Sequence, residues 1–263
     1  MLDSRLLVVA GLSAAAFFLL RRRLHLLRQL PRTVTLTYFD CKGRGEALRL
    51  LLADQLPAFI DRLVDKEQEW SAMKKVTPCG GLPMIEMDGL VVAQNVACAH
   101  VLGQRLGLMG CSDAEHARCS MVLSMLVQDL LEAFTATLWA PVRQAHAWDA
   151  GPNALIEAHC LLMEQRLHAL ERLYAQTAGP FLLVGAPSVP DYYALYLACI
   201  LREAYVWSTG PPPLDDLYKT MLERPAIARH VRSVAPPRGR YTNSPAEDQV
   251  LKMLATRALR VGD

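Results

Sequence analysis

TVTLTYFDCKGRGEALRLLLADQ, residues 33–55, runs without interruption from a strand-like segment through a basic, glycine-bearing turn into an apolar helix. The β-favouring run at 34–39 predicts a strand, and the leucine-rich run at 46–55 predicts a helix. This order sets Tyr38 at the carboxyl end of a strand, beside the N–H groups of a helix start and next to Arg44, the place where α/β folds put their chemistry. Tyr38 is thus the first candidate for function. The competing reading is an ordinary aromatic strand residue.

Upstream, residues 6–20 form an almost unbroken apolar run, relieved only at Gly11 and Ser13 and stopped by Arg21, Arg22 and Arg23. It is shorter than the roughly 20 residues that comfortably cross a bilayer, although Arg5 and the arginine cluster can extend it by snorkelling. A secretory signal would carry its charge before the apolar block, and a mitochondrial presequence would be amphipathic throughout. Residues 1–32 therefore read as a membrane anchor with a basic flank. The positive-inside rule then faces the rest of the chain to the cytosol, on the endoplasmic reticulum or mitochondrial outer membrane, with mitochondrial import as the lesser alternative.

Downstream, short strands and helices alternate. A strand is expected at 59–64, two more at 84–87 and 90–93 around the hairpin signal Asp88-Gly89, and a helix at 95–106, before a linker at 107–112. Beyond residue 113 only helical periodicity remains. Helices are expected at 113 to about 139, 153 to about 177, 190–203, 214–222 and 226–234. Pro141, Gly151-Pro152, Gly179-Pro180, the 210–213 run and Pro236-Pro237 mark the cuts. Ser188 and Asp191 form a capping box with Pro190 in the first helical turn. Residues 241–263 make a tail, with an amphipathic helix possible over 245–260.

The 263 residues are 52% hydrophobic, which excludes a disordered chain and leaves room for two small cores. The 28 basic and 26 acidic residues nearly balance, and much of the basic excess sits near the N-terminus, so nothing beyond it favours nucleic acid. Seven scattered cysteines without a C-x-x-C pair indicate neither a disulfide framework nor a metal site. Cys41 is a second reactive candidate. Its neighbours Lys42 and Arg44 and the helix start would lower a thiol pKa. The alternative is a small buried hydrophobe.

Four pieces, taken together with their spacing, carry a family resemblance: LTYFDCKGRGEALR at 36–49, EWSAMKK at 69–75, PCGGLPMIEMDGL at 78–90 followed by Gln94-Asn95, and FLLVGAPSVPDYYALYLA at 181–198. Over roughly 33–240 the chain resembles the glutathione transferases, most closely the sigma class that includes haematopoietic-type prostaglandin D synthases, with the pi class next. The resemblance implies an α/β plus all-α fold. A thioredoxin-like glutathione-binding domain would span 33–108, and an all-helical domain 113–240. It also implies a homodimer, glutathione as co-substrate without a metal, and a hydrophobic electrophile or lipid-derived substrate.

The resemblance gives the residues roles. Tyr38 donates to the glutathione sulfur and stabilises its thiolate. Arg44 sets the charge near the thiolate and the γ-glutamyl end. Trp70 and Lys74, one helical turn apart, hold the glycyl carboxylate. Leu82 before a cis Pro83 pairs with the cysteinyl backbone, and Gln94 and Asn95 receive the γ-glutamyl carboxylate at a helix start. Trp70, Lys74 and Arg44 read equally as surface residues, and Pro83 as a strand-entry proline. Three positions depart from the family: Asn95 replaces a serine, Gly81 a longer polar side chain, and the acid that crosses the dimer to the γ-glutamyl ammonium has only Asp129 and Glu132 as candidates. Trp139 and Tyr193 are either core residues or walls of an electrophile site. Alternative activities are a glutathione-dependent lipid isomerase or peroxidase, and a non-catalytic binding or scaffold protein.

Overall fold

Strand β1 (Val34–Phe39) lies second in a four-stranded sheet of order β2-β1-β3-β4. It runs parallel to β2 (Ile60–Val64), with Tyr38 opposite Leu63, and antiparallel to β3 (Met84–Met87), with Leu36 opposite Ile85. Helix α1 (Glu46–Gln55) makes the crossover between the two parallel strands, as a parallel pair requires. The single turn α2 (Trp70–Met73) follows β2, and β3 turns into β4 (Leu90–Ala93) at Asp88 and Gly89, both with positive φ. That is the two-residue hairpin the Asp-Gly pair predicts. Helix α3 (Asn95–Leu106) closes this half and ends on Gly107 in the left-handed conformation. The structure, a computed structural model, describes residues 31–205, 212–233, 240–242 and 244–256. The proposed anchor at 6–20 lies outside them.

The remaining described elements are helical. Helix α4 runs over Asp113–Arg143, α5 over Ala145–Ala150, α6 over Pro152–Tyr174 and α7 over Val189–Ala204. Then come α8 (Pro212–Leu222), α9 (Pro225–Ser233) and α10 (Glu247–Leu254). Thirteen of the sixteen residues of α7 are buried, so this helix, apolar on nearly every side, is the axis around which the others pack. Its start is held by Asp191, whose carboxylate accepts from the Ser188 N–H and hydroxyl, the Leu182 N–H and the Tyr174 hydroxyl. A small mixed sheet followed by an all-helical half is the α/β plus all-α architecture that the resemblance implies.

Three expectations need correction. Pro141 does not end its helix: α4 continues to Arg143, because a missing N–H in the last turn leaves only one carbonyl to satisfy. Residues Met125–Leu131 within α4 are π-helical, which widens the helix and shifts the register of everything after it. The short α5 follows where only a break was expected. By length and composition alone α4 could cross a membrane, but 44% of its most apolar window is buried in the protein, and its buried face is that of a core helix.

Buried His159 on α6 makes a prediction about acid stability. Its Nε2 lies 2.5 Å from the Tyr205 hydroxyl, and burial pushes the imidazole from 6.5 down to about 4. Between these values the unfolded chain binds more protons than the folded one. Stability is therefore lost as pH falls from about 6.5 through about 4, by up to about 3 kcal/mol from this group. His159→Gln should flatten the acid limb by that amount when urea unfolding is compared at neutral and acid pH. Parallel profiles for the two proteins would refute the assignment.

Candidate functional site

Tyr38 ends β1 with only 6% of its surface exposed. Two glycines make room for it. A Cβ on Gly43 would lie 2.5 Å from the Tyr38 hydroxyl, and one on Gly45 would lie 2.6 Å from the ring; Gly43 also has φ +38°. The Gly43–Gly45 turn is a 3₁₀ turn that leads directly into α1. Within it the Arg44 N–H donates to the Tyr38 oxygen at 2.9 Å. That bond uses a lone pair of the phenol and leaves its proton for another acceptor. Burial raises the Tyr38 pKa well above its ordinary value, as does the neighbouring Cys41, and together they outweigh the Arg44 N–H and the charges of Arg44 and Arg49. At neutral pH Tyr38 is therefore a hydrogen-bond donor and not a base.

On one side of Tyr38 is an apolar cluster containing Cys41, Val64 and Leu82, with Phe39, Trp70, Met73 and Met84 packed against it. The rings form an edge-to-face series, with Phe39 centred 5.5 Å from Tyr38 and 5.2 Å from Trp70. Lys74 stands exposed one turn beyond Trp70, its N–H donating to the Trp70 carbonyl at 2.8 Å. The Leu82–Pro83 bond is cis, and both residues are buried. The Pro83 carbonyl accepts from the N–H of Gln94 at 3.2 Å. Gln94 has φ +79° and ψ 127°, a conformation that costs a non-glycine residue on the order of 1–3 kcal/mol and that concentrates at ligand sites.

Beside the turn, a recess open to solvent is lined by Gly43, Arg44, Asn95, Glu132, Tyr193 and Tyr241, among others. Asn95 is the first residue of α3 and is buried. Its Oδ1 accepts from the Tyr193 hydroxyl at 2.6 Å, which leaves its NH₂ group to donate. Arg44 and Glu132 form a fork-to-fork ion pair within the same chain, Nε and Nη2 each meeting one carboxylate oxygen. Asp129, three residues earlier, pairs instead with Arg166 at 3.6 Å. The structure thus brings Arg44, Asn95 and Glu132 around one recess, sets Tyr38 against the same turn through the Arg44 N–H, and gathers Trp70 and Leu82 into the apolar cluster of Tyr38. Trp139 lies apart, half-buried between Lys66 and Arg143, while Tyr193 is both a core residue and a recess wall.

Of the two readings of Cys41, the small buried hydrophobe holds and the activated thiol does not. The thiol is buried, and burial pushes its pKa up to about 12, with Arg49 the first opposing influence. The cations adjacent in sequence are committed elsewhere, Lys42 to Glu203 at 2.7 Å and Arg44 to Glu132. Sequence reasoning also passed over Arg49, Tyr196 and Tyr241. Arg49 sits in the quoted motif without a role, and the two tyrosines become site residues only through tertiary packing.

Among the described residues no group of three or more His, Cys, Asp or Glu is placed to hold a metal ion. No protein-family model matches the chain. Relatives do. Glutathione S-transferase P 2 of Bufo bufo is 31% identical over 206 residues, covering 76% of this chain and 92% of that protein. Probable glutathione S-transferase gst-36 of Caenorhabditis elegans is 38% identical over 193 residues, covering 63% of this chain and 88% of that protein. The Pi-class glutathione S-transferase of Onchocerca volvulus superposes with a TM-score of 0.64 at 21% identity, over 80% of this chain and 98% of that one, a likeness of fold. With the strand–turn–helix around Tyr38, the cis Leu82–Pro83 bond and the recess beside Arg44 and Asn95 all in place, these relatives identify the chain as a member of the glutathione S-transferase family.

Proposed function

We propose that this glutathione transferase conjugates the glutathione thiolate to hydrophobic electrophiles, with Tyr38 as the thiolate-stabilising donor. The observation that carries this is the Tyr38 hydroxyl itself: it is buried and protonated, it accepts the Arg44 N–H, and its own proton is left to donate. Free thiols have pKa about 8.5, so at neutral pH only a small fraction of glutathione is the nucleophile; a donated hydrogen bond raises that fraction. The thiol proton leaves to solvent, the sulfur forms a bond to the electrophilic carbon, and the leaving group departs with the bonding pair.

The donor set suits the tripeptide, which has two carboxylates and one ammonium. Arg44, the Asn95 amide and the start of α3 offer positive or N–H partners on one side, and Glu132 the single anion. Trp70 and Lys74 would take the glycyl carboxylate, and the Leu82 backbone the cysteinyl unit. The acid that would cross a dimer to the γ-glutamyl ammonium is Asp129 or Glu132, and each is paired within its own chain, Glu132 with Arg44 and Asp129 with Arg166. The sigma-class affinity belongs to the same proposal and rests on the motifs at 36–49 and 78–90. The deciding experiment is glutathione-dependent conjugation of a simple aryl halide by the purified chain. Absence of turnover together with retained binding to immobilised glutathione would favour the scaffold alternative.

The tether is a separate part of the proposal, supported by the apolar run at 6–20 and the arginines that follow it. Residues 1–32 fused to a fluorescent reporter are expected to bring it to a membrane. A diffuse cytosolic signal would remove the tether and leave the catalytic reading intact.

A further inference from the structure

The tail, which the catalytic reading leaves without a role, meets the catalytic turn directly. The Lys42 N–H donates to the Arg240 carbonyl and the Gly43 N–H to the Tyr241 carbonyl, both at 2.8 Å. These are the residues immediately before Arg44, whose N–H meets the Tyr38 oxygen. The tail side of the contact is organised by Glu247, which is 2% exposed at the start of α10. Its Oε1 accepts from the Tyr241 N–H at 2.9 Å, and its Oε2 from the Thr242 N–H at 2.7 Å and hydroxyl at 2.8 Å. Side chains lock the same corner. The Tyr241 ring stands edge-on to Phe134, its hydroxyl donates to Glu203, and Lys42 both pairs with Glu203 and lies over the Tyr241 ring. Ser244 is fully buried and donates to the Leu138 carbonyl at 2.7 Å, which pins the tail to α4.

We propose that residues 240–242, held by Glu247, are a positioning device for the catalytic turn, in which Glu247, through the backbone of Arg240 to Thr242, fixes Lys42 and Gly43 and hence the Arg44 N–H that orients Tyr38. Glu247 touches no reacting atom and acts through the turn. A carboxylate suits the task because it accepts three donors at once; a glutamine must turn its NH₂ group toward donors. The proposal rests on the reading of Tyr38 as thiolate stabiliser.

The test uses the full chain with Glu247→Gln, Tyr38→Phe and the double variant. Backbone amides at 42 and 43 should exchange about tenfold faster in Glu247→Gln, while those of α7 stay unchanged. The kcat for conjugation should fall about tenfold with the KM for glutathione nearly constant, the pattern of a misplaced turn and not of a lost ligand contact. In the Tyr38→Phe background Glu247→Gln should cost little more, since both act on one hydrogen bond. Full multiplication of the two effects, or unchanged exchange at 42 and 43, would overturn the proposal. If Tyr38→Phe is itself fully active, the reading of Tyr38 fails, and faster exchange would still support the clamp while unchanged exchange would remove it. Should Glu247→Gln not fold, Thr242→Val removes the hydroxyl that donates to Glu247 and accepts from the Ser244 N–H, leaves both backbone bonds to Glu247, and should shift exchange and kcat the same way by a smaller factor.

Discussion

Tyr38→Phe is expected to lower kcat for aryl halide conjugation by about 10²–10³-fold, the usual loss when one donor to a developing or resident anion is removed. The phenylalanine keeps the ring that fills the space over Gly43 and Gly45, so the fold should persist and the chemistry alone should change. The sign follows from the protonation state. Because burial holds the phenol protonated through the physiological range, its work is donation, and deleting the O–H returns the bound thiol toward its pKa in water of about 8.5. Activity of the variant should then climb as pH is raised through that value, whereas the native enzyme should already be near its plateau at neutral pH. A pH–kcat profile of the two proteins, with ultraviolet absorbance of the bound thiolate, reads both effects. Coincident profiles would move the role to another residue, with Arg44 the first to examine because it reaches the same oxygen through its N–H.

Local patterns made much of this legible. The strand at 34–39, the helix at 46–55, the Asp-Gly hairpin and the helix at 95–106 follow from periodicity and turn chemistry, and the structure has them at the same or nearly the same bounds. What was not legible joins distant residues. Glu132 finds Arg44 across 88 positions and Tyr193 finds Asn95 across 98, pairings that only the packed helices determine. The π-helical stretch at Met125–Leu131 has no sequence signature, yet it sets where Asp129 and Glu132 lie around their helix. Cys41 shows the limit most clearly. Its sequence neighbours suggested an activated thiol, but their charges are drawn to Glu203 and Glu132, and burial decides its pKa. The strain at Gln94 is likewise invisible in the sequence, because glutamine ordinarily avoids that backbone conformation.

Arg49→Met is expected to destabilise the protein by about 3–5 kcal/mol, a large share of the roughly 5–15 kcal/mol that holds a domain folded. The guanidinium is 1% exposed and satisfies four groups: the carbonyls of Cys41 at 2.7 Å and Phe39 at 3.1 Å, Asp61 at 3.0 Å and Glu46 at 3.5 Å. It also stands 5.6 Å from the Tyr38 ring centre. Removing it takes a buried cation away from Glu46, whose charge burial disfavours. Glu46 is held below the ordinary carboxylate range against the cost of burial by its hydrogen bond to His230 and by the charges of His230, Arg49 and Lys42. Methionine fills most of the volume and none of the bonds, so the loss is electrostatic and not one of packing. Arg49→Lys should recover part of it, since an ammonium keeps the charge but cannot reach carbonyls and carboxylates with a planar fork. Guanidinium denaturation gives the comparison, with an unchanged slope showing that the same surface is exposed on unfolding. A loss under about 1 kcal/mol for Arg49→Met would mean that the network is weakly coupled to the fold. The carbonyls in question belong to Phe39 and Cys41, either side of the point where β1 gives way to the catalytic turn, so a milder variant that still folds should lose kcat before it loses glutathione affinity.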